Sequence, residues 1–112
     1  MACRVDILNS ARDDIIQNTL YVMEKWGQGK AEASYAAIVA KLALLATQPK
    51  MGVVIPELIA LGKTSYRLYV HEAHTKFLYE FDDVNEVVTV HMVFSSNQDF
   101  QSLLYRRIII QK

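Results

Sequence analysis

The chain has 112 residues, 52% of them apolar, which is enough for one domain with one core and too apolar for global disorder. Twelve basic residues balance twelve acidic ones, and the balance holds on either side of Gln48, five against five up to it and seven against seven after it. That neutrality disfavours a broad nucleic-acid binder, because gripping a long run of phosphates needs a basic patch.

The N-terminus reads as a short strand over 3–8, where Val5 and Ile7 alternate with Arg4 and Asp6. Cys3 is the only cysteine, so no internal disulfide can form. Asp6, Asp13 and Asp14 interrupt any secretory apolar region and no stretch approaches a membrane span, so a soluble cytoplasmic protein is expected. Ser10 with Asp13 three residues on resembles a capping box, which starts a helix near Ala11. Ile15, Thr19, Val22 and Trp26 form one stripe of that helix, with Ile16, Leu20 and Met23 beside it. Trp26 is expected to pack the helices on a sheet, and Gly27 and Gly29 to end the helix. A second helix from about Lys30 to Ala46 carries Ala31, Tyr35, Ile38, Leu42 and Leu45 on its apolar side. The short connection makes the two an antiparallel hairpin.

Residues 49–65 hold two glycines and two prolines with little period and read as a loop containing one extended piece. The period then changes to two. Strands are expected at 65–71, 75–81 and 86–94, with turns at Glu72–His74 and Asp82–Asn85. Asn97 offers an N-cap for a short final helix with Phe100, Leu103 and Leu104 inward. The order β-α-α-β-β-β-α predicts a single α+β domain over 1–112: an N-terminal strand, a helical hairpin, a mainly antiparallel sheet and a short C-terminal helix.

Three features bear on chemistry. His71-Glu72-Ala73-His74 is one residue short of the zinc motif H-E-x-x-H and lies on a hairpin turn, not on a helix, so neither metal nor cofactor is expected. A sheet face bearing Arg67, Tyr69 and Lys76 is a candidate contact for phosphate or carboxylate, against the plainer reading of a solvated face. Val88, Val90, Met92 and Phe94 should share one face of the last strand, opposite His91, which reads as a half-buried histidine. The tail, with Leu103, Leu104, Tyr105, Arg106, Arg107 and Ile108, is apolar enough that it must pack on its own domain or on a partner.

The run GVVIPELIALGKTSYRLYVHEAHTKFLYEF followed by EVVTVHMVFSSNQDFQSLL resembles the RelE/ParE superfamily of type II toxin–antitoxin toxins. The resemblance rests on PEL ahead of the sheet, SYR opening a strand, the FLYEF strand and the alternating strand leading to QD and a Leu-Leu helix. It implies a cognate antitoxin as partner, in a toxin–antitoxin hetero-oligomer, and one of two activities. RelE-like members cut mRNA on the ribosome; ParE-like members inhibit DNA gyrase without hydrolysis.

Cutting RNA through its 2′-hydroxyl needs a base, cations on the pentavalent phosphate and an acid for the leaving oxygen. Laid on the RelE pattern, Arg67 and Tyr69 fall on the two strand lysines, Lys76 replaces an arginine, and Ser96 stands where another arginine is usual. Tyr105 stands three residues beyond the late tyrosine. Phe94 occupies the place of a histidine in many relatives, and Asn97 and Gln98 precede Asp99 where an arginine is common. The resemblance thus implies a ParE-like gyrase inhibitor, with Tyr69, Leu103, Leu104, Arg106, Arg107 and Ile108 as partner-binding residues. The alternatives are an mRNA interferase using Arg67, Lys76, His91 and Tyr105 as catalytic residues, and a non-toxic binding module that keeps only the fold.

Overall fold

The computed structural model describes residues 2–71, 75–95 and 100–109. Strand β1 (Arg4–Ile7) turns directly into helix α1 (Asn9–Trp26), which is followed by α2 (Gln28–Leu44). A two-residue strand β2 (Val53–Val54) and a one-turn helix α3 (Pro56–Ile59) precede the main strands β3 (Tyr66–His71), β4 (Thr75–Asp82) and β5 (Val87–Ser95). Helix α4 (Phe100–Leu104) then widens into one π-helical turn over Tyr105–Ile109. The strands form one sheet in the order β1-β5-β4-β3-β2, with β1 parallel to β5 and the other pairs antiparallel. The α+β class expected from the sequence is the one observed; β2 is an extended piece within 49–65, as expected, and α3 is added where a loop was expected.

Both sheet faces are covered over part of their area. On one face Ala11 and Ile15 of α1 and Ile38, Leu42 and Leu45 of α2 and its end pack against Phe77, Tyr79, Val88, Val90 and Val93. On the other, Leu78, Met92 and Phe94 are covered by Ile55 and Leu58 from the α3 region and by Leu103, Leu104 and Ile108 from the C-terminal segment. That segment, expected to serve its own domain or a partner, packs on its own domain.

The helix ends differ from expectation for local reasons. Leu8 N donates to Val90 O as the last bond beside β1, and Leu8 O accepts from Arg12 N as the first of α1. The N-cap is therefore Leu8, no side-chain cap bond forms, and the Ser10 capping box is not made. Gly27 alone separates the helices, at φ 92° and ψ 173°, a conformation open in practice only to glycine. One such residue reverses the chain, so Gly29 does not end α1 but lies inside α2.

Trp26 corrects a second expectation. It is 60% exposed at the far end of the hairpin, touching Tyr21 edge to face with ring centres 6.1 Å apart. Its indole is therefore a surface group and not part of the core between helices and sheet. Trp26→Ala is accordingly expected to cost under about 1 kcal/mol in a thermal or denaturant melt, as at other surface positions. A loss of roughly 3 kcal/mol or more, typical of a core tryptophan, would contradict this placement.

The β4–β5 turn forms where expected. The Asp82 carboxylate accepts from the backbone N–H of Val84 and Asn85 and from the Asn85 side chain. The side-chain bond from Asn85, first among several, holds the Asp82 pKa below its ordinary value. The Glu72–His74 turn and the Asn97 cap, with Ser96, Gln98 and Asp99, lie outside the described residues.

Candidate functional site

Cross-strand pairing decides which candidate residues share a face, because residues paired directly across a ladder point the same way. Arg67 pairs with Tyr79 and Tyr69 with Phe77, so both lie on the side of α1 and α2. Lys76 pairs with Val70 and Phe94, and so lies on the opposite side. The single face bearing Arg67, Tyr69 and Lys76 does not exist. The expectation failed because β3 and β4 each alternate correctly, but the hairpin register brings Val70, not Tyr69, opposite Lys76.

Arg67 is held by the backbone. Its Nη1 donates to Gly52 O at 2.7 Å and to Lys50 O at 3.4 Å. Beside it the fully buried Tyr79 donates its hydroxyl to Pro49 O at 2.8 Å and accepts from Gly52 N at 2.9 Å. Burial pushes the Tyr79 pKa up, outweighing the Gly52 bond and the nearby Arg67, so this hydroxyl stays a donor. Together the two side chains fasten residues 49–52 to the sheet. Gly52 is required by this closeness: an added Cβ would lie 2.8 Å from the Tyr79 hydroxyl and 2.9 Å from Leu68 O. Gly52→Ala is expected to cost about 1–3 kcal/mol by overpacking, read as a lower denaturation midpoint. An unchanged midpoint would show that the segment is loosely held.

Tyr69 is half-buried, stacked on Phe77 at 6.1 Å with Lys41 Nζ 5.9 Å from its ring centre. Tyr105 and Arg106 are exposed on the terminal turn. Leu103, Leu104 and Ile108 are buried, so the apolar side chains assigned to a partner are used within the domain.

The uncovered part of the second face is a shallow polar depression of about 550 Å³, lined by Arg4, Asp6, Glu80, Asp82, Asn85 and Thr89 among others. At its inner end stands His91. A bulge between Leu78 and Tyr79 in the β4–β5 register pairs Leu78 with Met92 but Tyr79 with Val90, leaving His91 as the extra residue. The alternation expected for β5 shifts phase there. Val88 and Val90 face the helices, whereas Met92 and Phe94 face the C-terminal segment.

The His91 Nε2 lies 3.3 Å from Glu80 Oε1, and its ring is 5.1 Å from that of Tyr66. Ser65 Oγ donates to the other Glu80 oxygen at 3.1 Å. Burial, the largest effect, lowers the His91 pKa; the Glu80 bond and charge oppose it, and Arg107 adds to it. Burial, then the Glu80 charge, raises the Tyr66 pKa. The arrangement is a neutral imidazole oriented by a carboxylate, able to move a proton; the neighbouring guanidinium of Arg107 is engaged with Asp14. Arg4, the cation on the rim, is paired with Asp6 at 3.1 Å. Asp6, Glu80 and Asp82 make the depression acidic.

At the edge of this site stand Asp14, not singled out for chemistry in the sequence, and Arg107, expected from it as a partner-binding residue. Asp14 Oδ2 accepts from Val93 N at 3.0 Å, and its Oδ1 lies 3.0 Å from Arg107 Nη1. Arg107 Nη2 in turn donates to His91 O at 2.8 Å. The signal for Asp14 is its phase: Ala11, Asp14, Ile15, Asn18 and Val22 lie on one helical side, so a carboxylate stands on the inward stripe. Among the described residues no group of three or more His, Cys, Asp or Glu could hold a metal ion, and no helix is long and apolar enough to cross a membrane.

No protein-family model and no curated protein matches the chain. Solved structures do. A chain of the RelBE2 toxin–antitoxin complex from Mycobacterium tuberculosis superposes with a TM-score of 0.61 at 17% identity, over 85% of this chain and 99% of that one. A chain of the chromosomal ParDE system from P. aeruginosa gives 0.66 at 11% identity, over 84% and 96%. A mutant of E. coli toxin RelE in the free state gives 0.51 at 18% identity, over 97% and 96%. With its N-terminal strand, helical hairpin, sheet and short C-terminal helix, the chain has the RelE/ParE-like toxin fold.

Proposed function

We propose that this protein is the toxin of a type II toxin–antitoxin module, ParE-like in inhibiting DNA gyrase by contact, and held inactive by a cognate antitoxin in the cytoplasm. The observation that carries the ParE-like choice is the separation of the two cations. Arg67 and Lys76 lie on opposite faces of the sheet, so they cannot bear on one phosphate, and Arg67 is already bonded to Gly52 and Lys50 carbonyls. A nuclease of the RelE kind would have to stabilise a pentavalent phosphate without them. The acidic depression around His91 adds a field that repels RNA.

A second reading, a RelE-like mRNA interferase, draws support from one feature. His91 and Glu80 form a carboxylate-oriented imidazole on an open face, suited to taking a proton from a 2′-hydroxyl. The antitoxin would find exposed apolar side chains on the hairpin, where Ile16, Leu20 and Met23 follow one another at helical spacing and Tyr35 faces Met23 across a groove. Induced expression in a bacterium tests the toxin role. Growth should stop, and co-expression of a small reading frame adjacent to this one should restore it. Unimpaired growth with soluble, folded protein would leave the non-toxic binding module.

A further inference from the structure

Strand β1 covers the edge of β5 only as far as the bond from Leu8 N to Val90 O. Beyond it the peptide groups of His91 and Val93 would face outward with no strand beside them, a costly arrangement for half-buried backbone. Asp14 and Arg107 fill the gap. The Asp14 carboxylate accepts from Val93 N, the Arg107 guanidinium donates to His91 O, and the two side chains are bonded to each other. A donor and an acceptor are thus presented as a neighbouring strand would present them. Both side chains are about four-fifths covered.

Arg107 belongs to the terminal turn, so this network also ties the segment Phe100–Ile109 to the sheet and to α1. The tie converges on the bulged residue. His91 offers its carbonyl to Arg107 and its ring to Glu80 of β4, beneath Tyr66 of β3. Asp14 of α1 stands behind Arg107, and Arg4 and Asp6 of β1 with Asp82 line the adjoining depression. We propose that Asp14, Arg107 and the bulge at His91 form a proton-linked latch: neutral His91 keeps the C-terminal segment tied to β5, and a proton on His91 loosens it. The latch is independent of the toxin reading.

The physical reason is burial first and charge second. A protonated His91 would be a charge withdrawn from water, with the Arg107 guanidinium bonded to its own carbonyl; Glu80 offsets part of that cost, while Asp14 is already engaged with Arg107. Burial and Arg107 both favour the neutral ring in the folded protein. With its folded pKa below the ordinary 6.5, His91 takes up its proton more readily once the segment or the chain opens. The stabilisation is complete above that value and is lost as pH falls through the window beneath it. By reciprocity, opening the latch must raise the pH at which His91 titrates.

Amide exchange and histidine titration by NMR on the full chain test this. From about pH 7.5 to about pH 5, the protection of the Val93 amide and of amides over 103–108, corrected for intrinsic exchange, should fall while β4 amides hold. His91→Gln should abolish that pH dependence, which separates His91 from His71 and His74. Arg107→Gln should lower the protection at all pH values and move the His91 titration upward. Constant protection of Val93 in the unsubstituted protein overturns the proposal. So does a fall that persists in His91→Gln, or a His91 titration unmoved by Arg107→Gln. If Arg107→Gln does not fold, the comparison with His91→Gln decides alone.

Discussion

Phe77→Ala is expected to remove roughly 3–5 kcal/mol of stability, the largest loss of any substitution considered. Phe77 is fully buried in the middle of β4, packed with Val90, Val93, Ile38 and Leu42 in the core under the helices and stacked against Tyr69. Removing the ring deletes its transfer free energy and leaves a cavity that neighbours fixed on a sheet cannot fill by collapsing. Against a total of about 5–15 kcal/mol for a domain of ordinary stability, that leaves a marginal protein. Denaturant unfolding should show a much earlier midpoint with an unchanged slope. A loss below about 1 kcal/mol would mean that the helical hairpin does not sit on this face.

Lys76→Ala is expected to leave toxicity nearly intact, and this outcome divides the two activities most widely. In an interferase whose phosphate sits on the Lys76 face of the sheet, that cation would contact the crowded phosphate, so losing it should cost on the order of a hundredfold or more in cleavage rate. In a ParE-like inhibitor nothing is cleaved, and a side chain with no ion pair among the described residues contributes only to surface contact. Lys76 is the cleaner probe, because Arg67→Ala also frees the Gly52 and Lys50 carbonyls and should cost about 1–2 kcal/mol of folding stability. A hundredfold loss of activity in well-folded Lys76→Ala would favour the interferase.

Much of the architecture was legible because it depends on local period. The alternation in 65–71, 75–81 and 86–94 located β3 to β5, and the stripe Ala31, Tyr35, Ile38, Leu42 and Leu45 located the buried side of α2, except that Tyr35 is half exposed. What escaped depends on contacts remote in sequence. The bulge at His91 shifts the facing of Met92 and Phe94 by one residue, and no residue type in VVTVHMVF announces it. The register of β3 on β4 separates Arg67 from Lys76, though each strand taken alone was read correctly. Trp26 looked like core by size and phase, but it stands exposed at the end of α1. The charge of the tail was read as an offer to a partner, whereas Arg107 serves Asp14 and the open edge of β5.

The site shows the same division. His91 was expected to be half-buried and is, but its partner Glu80 was not singled out. Residue types at single positions indicated which groups could do chemistry. Their pairing across strands decided which of them meet.

The account is tested most directly by primer extension of mRNA and plasmid topology measured side by side in cells induced to express the protein. A ParE-like toxin predicts intact mRNA, with altered plasmid supercoiling, DNA damage and filamentous cells. Discrete ribosome-dependent cuts in mRNA with plasmid topology unchanged would contradict it.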